Sequence, residues 1–241
     1  MPKKKTVKKA KTSKKKKKKV DTAIEIIDLG EYKKTNPEKN FLSQAELELL
    51  VSKEQKTDLI IERELSDLDD SYSLLVLASP QSYAEIRLGI IRRFAKQKGI
   101  YVTLNSTYSA LIKEFNLHRI KIEETSFIDM ISSMTNIGEV AKKGVAYLES
   151  ATDLTELVLL IDKNLSKFVV GSFLIVDSVS TLLVYNEPKE VEKLVHVLVG
   201  KANSFNSRLV LLMVDSKEHE GIIETIGQFC TRVVKIDKIK I

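Results

Sequence analysis

Residues 173–183 constrain the fold more than any other stretch of this 241-residue chain. The stretch opens with four apolar residues, 173–176, and the apolar run stops at Asp177, which small hydroxylated residues follow. Such an uninterrupted run is typical of a strand buried on both faces, as in parallel sheets covered by helices. Ligands of open parallel sheets bind beside the carboxyl ends of the strands. Asp177 is therefore predicted to stand where a nucleotide-binding protein holds its magnesium ion.

From Leu74 onward, apolar strands alternate with amphipathic helices. Strands are predicted at 74–78, 101–104, 146–149, 173–176, 209–214 and 232–236, with a short candidate at 120–122. Helices are predicted at 81–98, 107–115, 153–165, 188–205 and 218–229, and a helix or turn at 126–134. Alternation of this kind implies parallel crossover connections. The predicted fold class is α/β, a three-layer α/β/α sandwich with a mostly parallel sheet.

The charge of the chain is unevenly distributed. Residues 1–20 contain twelve Lys and no acidic residue, whereas the whole chain has a formal charge of +6, so residues 21–241 carry a net charge of −6. Residues 1–20, the polylysine tail, are predicted to be disordered, because they combine self-repulsion with almost no apolar surface. The tail either is only solvated or contacts nucleic acid or an anionic membrane. The candidate contacts are Lys14, Lys15, Lys16, Lys17, Lys18 and Lys19.

Residues 21–70 are predicted to be a linker followed by an amphipathic helix. The linker includes a possible short strand at 24–27. Ser43 and Glu46 have the spacing of a capping box ahead of an apolar run, which predicts a helix at 43–65. We expect this helix to lie against the sheet or to bridge protomers.

Several classes of protein are disfavoured by composition. The single cysteine, Cys230, cannot form an internal disulfide, which favours a reducing compartment. No segment approaches the roughly 20 apolar residues of a membrane span, and acidic residues occupy the place of a signal-peptide core. The three histidines share no metal-ligand spacing. We therefore expect a cytoplasmic protein without a transmembrane segment.

From residue 74 to residue 236 the chain resembles a RecA-type ATPase domain of the KaiC/RadA-like branch. The resemblance rests on a strand ending at Asp177 and Ser178, a helix, the strand 209–214 followed again by Asp and Ser, and the closing segment 230–236. It implies a RecA-like sheet in a domain spanning 71–241, with Asp177 as the Walker B aspartate.

The first turn departs from the family. A P-loop needs glycines for its phosphate-binding amides, a Lys for the β- and γ-phosphates and a Ser or Thr for Mg²⁺. Residues 78–85 contain no glycine and no lysine, Pro80 lacks an amide donor, and Glu85 would repel phosphate. Asn105 occupies the place of the family's catalytic carboxylate and cannot act as a general base. The predicted remnant of the nucleotide pocket is Ser79, Gln81, Ser82, Asn105 and Asp177.

These departures predict a catalytically degenerate protein rather than an enzyme, with neither ATP nor Mg²⁺ as an expected cofactor. Asp177 is then expected to be a solvent-linked carboxylate rather than a metal ligand, and Tyr83 and Tyr108 either to pack or to stack on a base. The protein would act as a binding or regulatory module through oligomerisation or docking to a partner. Two alternatives stay open: an ATPase with a non-standard phosphate loop, and a nucleic-acid-binding protein that uses the polylysine tail.

Overall fold

The computed structural model describes residues 53–133, 142–168 and 171–236. The predictions for the polylysine tail, for the linker with its strand at 24–27 and for the first ten residues of the helix at 43–65 lie outside the described residues, as do Lys14–Lys19.

The described residues form seven strands and seven helices. The strands are β1 (Tyr72–Ala78), β2 (Gly99–Thr103), β3 (Thr125–Asp129), β4 (Val145–Tyr147), β5 (Phe173–Asp177), β6 (Arg208–Val214) and β7 (Arg232–Ile236). The helices are α1 (Lys53–Leu65), α2 (Tyr83–Phe94), α3 (Tyr108–Leu117), α4 (Leu154–Leu165), α5 (Val179–Tyr185), α6 (Pro188–Ser204) and α7 (Glu220–Phe229), with a 3₁₀ turn at Lys217–His219.

The seven strands form one sheet in the order β4-β3-β2-β5-β6-β1-β7, and every pairing is parallel. The central strand β5 lies between β2 and β6, with Asp177 level with Thr103 on one side and with Leu212 on the other. All residues of β1, β2 and β5 are buried, which explains their nearly unbroken apolar sequences. The predicted α/β class with a parallel sheet is confirmed.

Two hydrophobic clusters lie on opposite faces of the sheet, because successive strand residues point to opposite sides. Leu75 and Leu77 belong to the cluster under α4, α5, α6 and α7, and Leu74 and Val76 to the cluster under α1, α2 and α3. Full burial of a side chain of this size contributes about 1.5–3 kcal/mol. The helices thus form the two outer layers of the predicted three-layer sandwich.

Helix caps follow the local sequence. The Asp153 carboxylate accepts a hydrogen bond from the Glu156 amide at 2.9 Å and caps α4 at the predicted start of that helix. Pro188 occupies the first turn of α6, where its missing amide proton costs no helical hydrogen bond. Ser178 accepts from the Thr181 amide and caps α5, a two-turn helix that the apolar pattern did not predict.

The prediction of a helix or turn at 126–134 is wrong for residues 126–129, which belong to β3. Residues Thr125–Asp129 pair with β2 residue by residue, from Gly99 to Thr103. Polar residues at both ends of this short strand leave only two apolar residues between them, so its sequence shows no strand pattern. The strand candidate at 120–122 is also wrong, since the Ile120 amide donates to the Phe115 carbonyl at 2.8 Å and the side chain packs beyond the end of α3.

Helix α1 packs against α2 across Gly89. A Cβ atom at Gly89 would lie 2.5 Å from Ile61 Cδ1 and 2.9 Å from Thr57 Cγ2, so a larger residue would require these side chains of α1 to shift. Arg92 and Asp58 form an ion pair at 2.8 Å beside the crossing. In the parts of the chain that the structure describes, no helix combines the length and apolarity needed to cross a membrane.

Candidate functional site

Asp177 ends β5 at a switch point of the sheet. After β2 the chain continues to β3 on one side, and after β5 it continues to β6 on the other, so the connections that follow these two neighbouring strands run in opposite directions along the sheet. Ligands of parallel α/β folds bind at such points. Strand alternation places the Asp177 side chain on the same face as Phe173 and Ile175, under α2.

Three side chains donate hydrogen bonds to the Asp177 carboxylate. The Tyr83 hydroxyl donates to Oδ1 at 2.6 Å, the Asn105 amide donates to Oδ1 at 2.8 Å, and the Tyr101 hydroxyl donates to Oδ2 at 2.5 Å. Asp177 itself is 0% exposed. The expectation of a solvent-linked carboxylate is therefore wrong, because α2 and β2 cover the end of β5 and supply the hydrogen bonds that water would otherwise make.

Arg87 supplies the positive charge beside Asp177. Its Nη1 lies 3.7 Å from Asp177 Oδ2, and its Nη2 donates to Glu114 Oε1 at 2.5 Å. Burial by itself lowers the pKa of Arg87, but the interactions with Tyr101, Asp177 and Glu114 more than offset it, so the pKa lies above its ordinary value. A guanidinium held in the charged form between two carboxylates balances the buried acid.

The two tyrosines are held as hydrogen-bond donors. Burial raises the pKa of Tyr101 well above its usual range, and the neighbouring Asp177 charge raises it further. The same causes, in the same order, raise the pKa of Tyr83. The Tyr83 hydroxyl therefore donates to Asp177. Of the two roles expected for Tyr83, the structure shows packing within the chain.

Stability at high pH is expected to depend on Tyr101. An unfolded tyrosine loses its proton near pH 10 while the buried Tyr101 keeps it, so the free energy of unfolding falls above pH 10 by up to about 1.4 kcal/mol per pH unit for this group. Tyr101→Phe removes that slope. Urea unfolding from pH 7 to pH 11 measures it: the difference between wild type and variant should be constant below pH 9 and shrink above pH 10. Parallel curves over the whole range would contradict the assignment.

The turn after β1 uses its own amides. The Ser82 and Tyr83 amides both donate to the Ser79 carbonyl, at 2.9 and 3.0 Å, and the Ser79 hydroxyl donates to the Ser82 hydroxyl at 3.0 Å. Ser82 is buried and Gln81 is exposed. Helix α2 accordingly begins at Tyr83, two residues later than predicted. Glu85 points toward α1, where its carboxylate accepts from the Thr57 hydroxyl at 2.9 Å.

Asn105 links the end of β2 to α5. Its amide nitrogen donates to Asp177, and its carbonyl oxygen accepts from the Thr181 hydroxyl. Thr181 in turn shares a hydrogen bond with the Ser178 hydroxyl at 3.0 Å. Both ends of the Asn105 amide are thus engaged within the chain.

Two pairs among the five predicted pocket residues are therefore hydrogen-bonded, Asp177 with Asn105 and Ser79 with Ser82. Among the described contacts, Asp177 is hydrogen-bonded to Asn105 but not to Ser79, Gln81 or Ser82. Sequence reasoning missed the roles of Tyr101, Arg87 and Glu114. A signal existed for Arg87, because it lies four residues after Tyr83 and so on the same face of α2.

Asp129 is a second buried carboxylate at the same edge of the sheet. It ends β3, is 0% exposed and accepts from the Tyr108 amide at 2.6 Å, from the Ile131 and Ser132 amides at 2.8 and 2.9 Å, and from the Ser132 hydroxyl at 2.6 Å. Four donors of its own chain satisfy it, so it holds the loop and the start of α3. The pattern of an apolar pair followed by an acid was readable at 127–129, but the wrong helix-or-turn prediction obscured it.

The histidines lie apart. His118 contacts Glu54 at 3.0 Å and His196 packs on the Phe229 ring. Across residues 53–133, 142–168 and 171–236, no three His, Cys, Asp or Glu side chains are grouped as a metal site requires.

The comparisons with known proteins give structural similarity alone. No family model and no curated protein sequence matches the chain. The KaiC-like protein PH0186 of Pyrococcus horikoshii OT3 is similar over 70% of this chain and 72% of its own, with a TM-score of 0.50 and 14% identity. The protein PH0321 of Pyrococcus horikoshii, solved in complex with an unknown peptide, is similar over 73% of this chain and 82% of its own, with a TM-score of 0.57 and 11% identity. Together with the all-parallel sheet, this similarity confirms that the chain has a RecA/KaiC-like fold.

Proposed function

We propose that this chain is a KaiC-like domain that does not hydrolyse ATP and acts as a binding module, associating with a second copy or with a protein partner. The observation that carries the proposal is the state of Asp177. The acid at the position of the family's Walker B aspartate is fully buried and accepts hydrogen bonds from Tyr83, Tyr101 and Asn105. A magnesium ion would have to displace these donors and approach the Arg87 guanidinium.

The phosphate side of the site supports the same conclusion. Catalysis of phosphoryl transfer rests on positioning the phosphates and neutralising their charge. In the turn after β1, the Ser82 and Tyr83 amides donate to the Ser79 carbonyl and are not presented to an anion. It also contains no glycine that would open the turn and no lysine that would neutralise a phosphate.

The sheet with its two helical layers, and a structural neighbour that binds a peptide, favour a protein partner. The described residues form a seven-stranded sheet between two helical layers, with β1, β2 and β5 buried, and such a frame can support binding without catalysis. PH0321, which has the same fold, was solved in complex with a peptide. Fold similarity at this level does not show function by itself. A neighbour that binds a peptide nevertheless supports the proposal that this chain binds a peptide or a protein.

Calorimetric titration of ATP and ADP with Mg²⁺ into the full chain tests the proposal. The titration is run at about 0.3 M salt, where the Debye length falls below about 8 Å and contacts of phosphates with the polylysine tail are weakened. We expect no saturable heat, and no rise in melting temperature at millimolar nucleotide, since only a ligand of the native state stabilises it.

Inorganic tripolyphosphate is the control for the tail, because it carries the charge of ATP without the nucleoside. Saturable binding of ATP near 1:1, absent with tripolyphosphate and weakened by Asp177→Asn, would overturn the proposal. So would ATP turnover that Asp177→Asn abolishes.

A further inference from the structure

Two neighbouring helices expose apolar side chains along a shared groove. Leu159 of α4 is 62% exposed and Val197 of α6 is 42% exposed. They border a groove of about 390 Å³ that Leu154, Val158 and Leu194 also line. We call these five residues the α4–α6 face. The groove runs lengthwise, because α4 and α6 are parallel neighbours: Lys201 contacts Asp162 at 2.7 Å near their carboxyl ends.

Helix α4 carries more apolar surface than its own core uses. Leu157, Ile161 and Leu165 are buried against the sheet and form the inward-facing apolar stripe of the helix. Leu159 adds an exposed apolar side chain beside this stripe, next to Val158, which packs against the edge of the core, and the exposed Val197 of α6 borders the same groove. A contiguous apolar strip bordered by charges is typical of a surface that another molecule covers.

The charges around the face favour a second copy of the chain as the occupant. The groove is bordered on α6 by Glu190 and Lys193, and α4 exposes Glu156 one turn before Leu159 and Lys163 one turn after it. Two acids and two bases give a balanced rim, which favours neither nucleic acid nor a strongly charged partner. In the described residues neither Glu156 nor Lys163 has a salt bridge of its own.

The order of charges on α4 is self-complementary. An antiparallel α4 pair with a two-fold axis beside Leu159 places Glu156 opposite Lys163 of the second copy, and Lys163 opposite Glu156 of the second copy. The same contact is thereby made twice, as an isologous interface requires. Leu159 of each copy then packs at the centre, beside the groove of the other, where an apolar anchor contributes most.

We propose that the α4–α6 face joins two copies of the chain in an antiparallel two-fold dimer centred on Leu159. This inference rests on the proposed function, that the domain acts by association, and it specifies which surface and which partner.

Sedimentation equilibrium of the full chain, from about 1 to 200 µM, tests the face. Leu159→Asp places two carboxylates against each other at the axis, and we expect the dimer dissociation constant to rise at least about 100-fold. The matched control is Leu117→Asp, which alters an 83%-exposed leucine at the end of α3 on the opposite side of the sheet. It should leave the dissociation constant within about threefold of wild type.

Charge reversal tests the antiparallel arrangement. Glu156→Lys and Lys163→Glu each replace both interchain attractions by repulsions, and each is expected to weaken the dimer about tenfold. The double variant reverses both partners of each pair and should restore the dissociation constant to within about threefold of wild type. Circular dichroism confirms that each variant keeps its helices.

Either of two results overturns the inference. A wild-type chain that stays monomeric up to 200 µM has no such dimer, and a dimer that Leu159→Asp leaves intact uses another surface. In the second case the proposed association stands while its location is wrong. The proposed function fails separately, through ATP turnover, and that result would leave the sedimentation data unchanged.

Discussion

Asp177→Ala is expected to lower the free energy of unfolding by about 3–5 kcal/mol. The substitution removes the acceptor of three hydrogen bonds, from Tyr83, Tyr101 and Asn105. It also leaves the charge of Arg87, which is 7% exposed, with Glu114 as its remaining carboxylate. Buried donors that lose their acceptor cost about 1–3 kcal/mol each, and more when charged.

Urea unfolding at pH 7 measures the effect, and Asp215→Ala is the matched control. Asp215 directly follows β6 at the same edge of the sheet, but its side chain is partly exposed and its partner Lys235, at 2.7 Å, is more than half exposed. Exposed pairs of this kind contribute about 0–1 kcal/mol, so the control should lose no more than that.

The opposite outcome would be informative about function. An acid kept for binding a cation is commonly destabilising, and its removal then leaves stability unchanged or raises it. If Asp177→Ala were neutral or stabilising while Asp215→Ala behaved as expected, Asp177 would have to be regarded as a poised ligand rather than as part of a closed internal network.

Gly99→Ala is expected to destabilise the chain by about 1–3 kcal/mol. Gly99 starts β2 and is fully buried beside β5. A Cβ atom here would lie 2.4 Å from two ring atoms of Phe173 and 2.5 Å from the Phe173 carbonyl oxygen. The ring is 0% exposed and packs on Phe94, and the carbonyl belongs to the central strand, so neither yields without moving the core.

Gly200→Ala is the matched control for this substitution. Gly200 lies inside α6, and a Cβ atom there would meet nothing within 4 Å. Alanine is the better helix former by about 0.5–1 kcal/mol, so this variant should be more stable than wild type. Urea unfolding at low micromolar concentration compares the two. A neutral Gly99→Ala would mean that β2 and β5 adjust to each other more freely than their close packing implies.

The central strands of the fold could be predicted from the sequence, because strands buried in a parallel sheet consist of continuous apolar residues. The runs ending at Ala78, Asp177 and Val214 are all strands within a residue or two of their predicted bounds. The position of Asp177 at the carboxyl end of β5 follows from the same local pattern. The short strands were harder: Thr125–Asp129 has only two apolar residues, too few to show a period.

The candidate site was only half predictable. The lack of glycine and lysine in residues 78–85 is a local fact, and the prediction against ordinary nucleotide chemistry rests on it. The environment of Asp177 is not local, since Tyr83 and Tyr101 lie 94 and 76 residues away from it in the chain. Gly99 is a similar case, because by sequence it only follows the helix predicted at 81–98, and its contact with Phe173 arises only when β2 pairs with β5.

What the sequence determined by itself is thus the class of fold and a turn after β1 without glycine or lysine, because apolar periodicity and turn chemistry act over a few neighbouring residues. What only the tertiary structure decided is that Asp177 is closed off and fully hydrogen-bonded. Strand order brings β2 beside β5, α2 crosses above them, and the donors and the guanidinium meet the carboxylate only in that arrangement. The burial of a charge is a property of the assembled layers, and no local pattern records it.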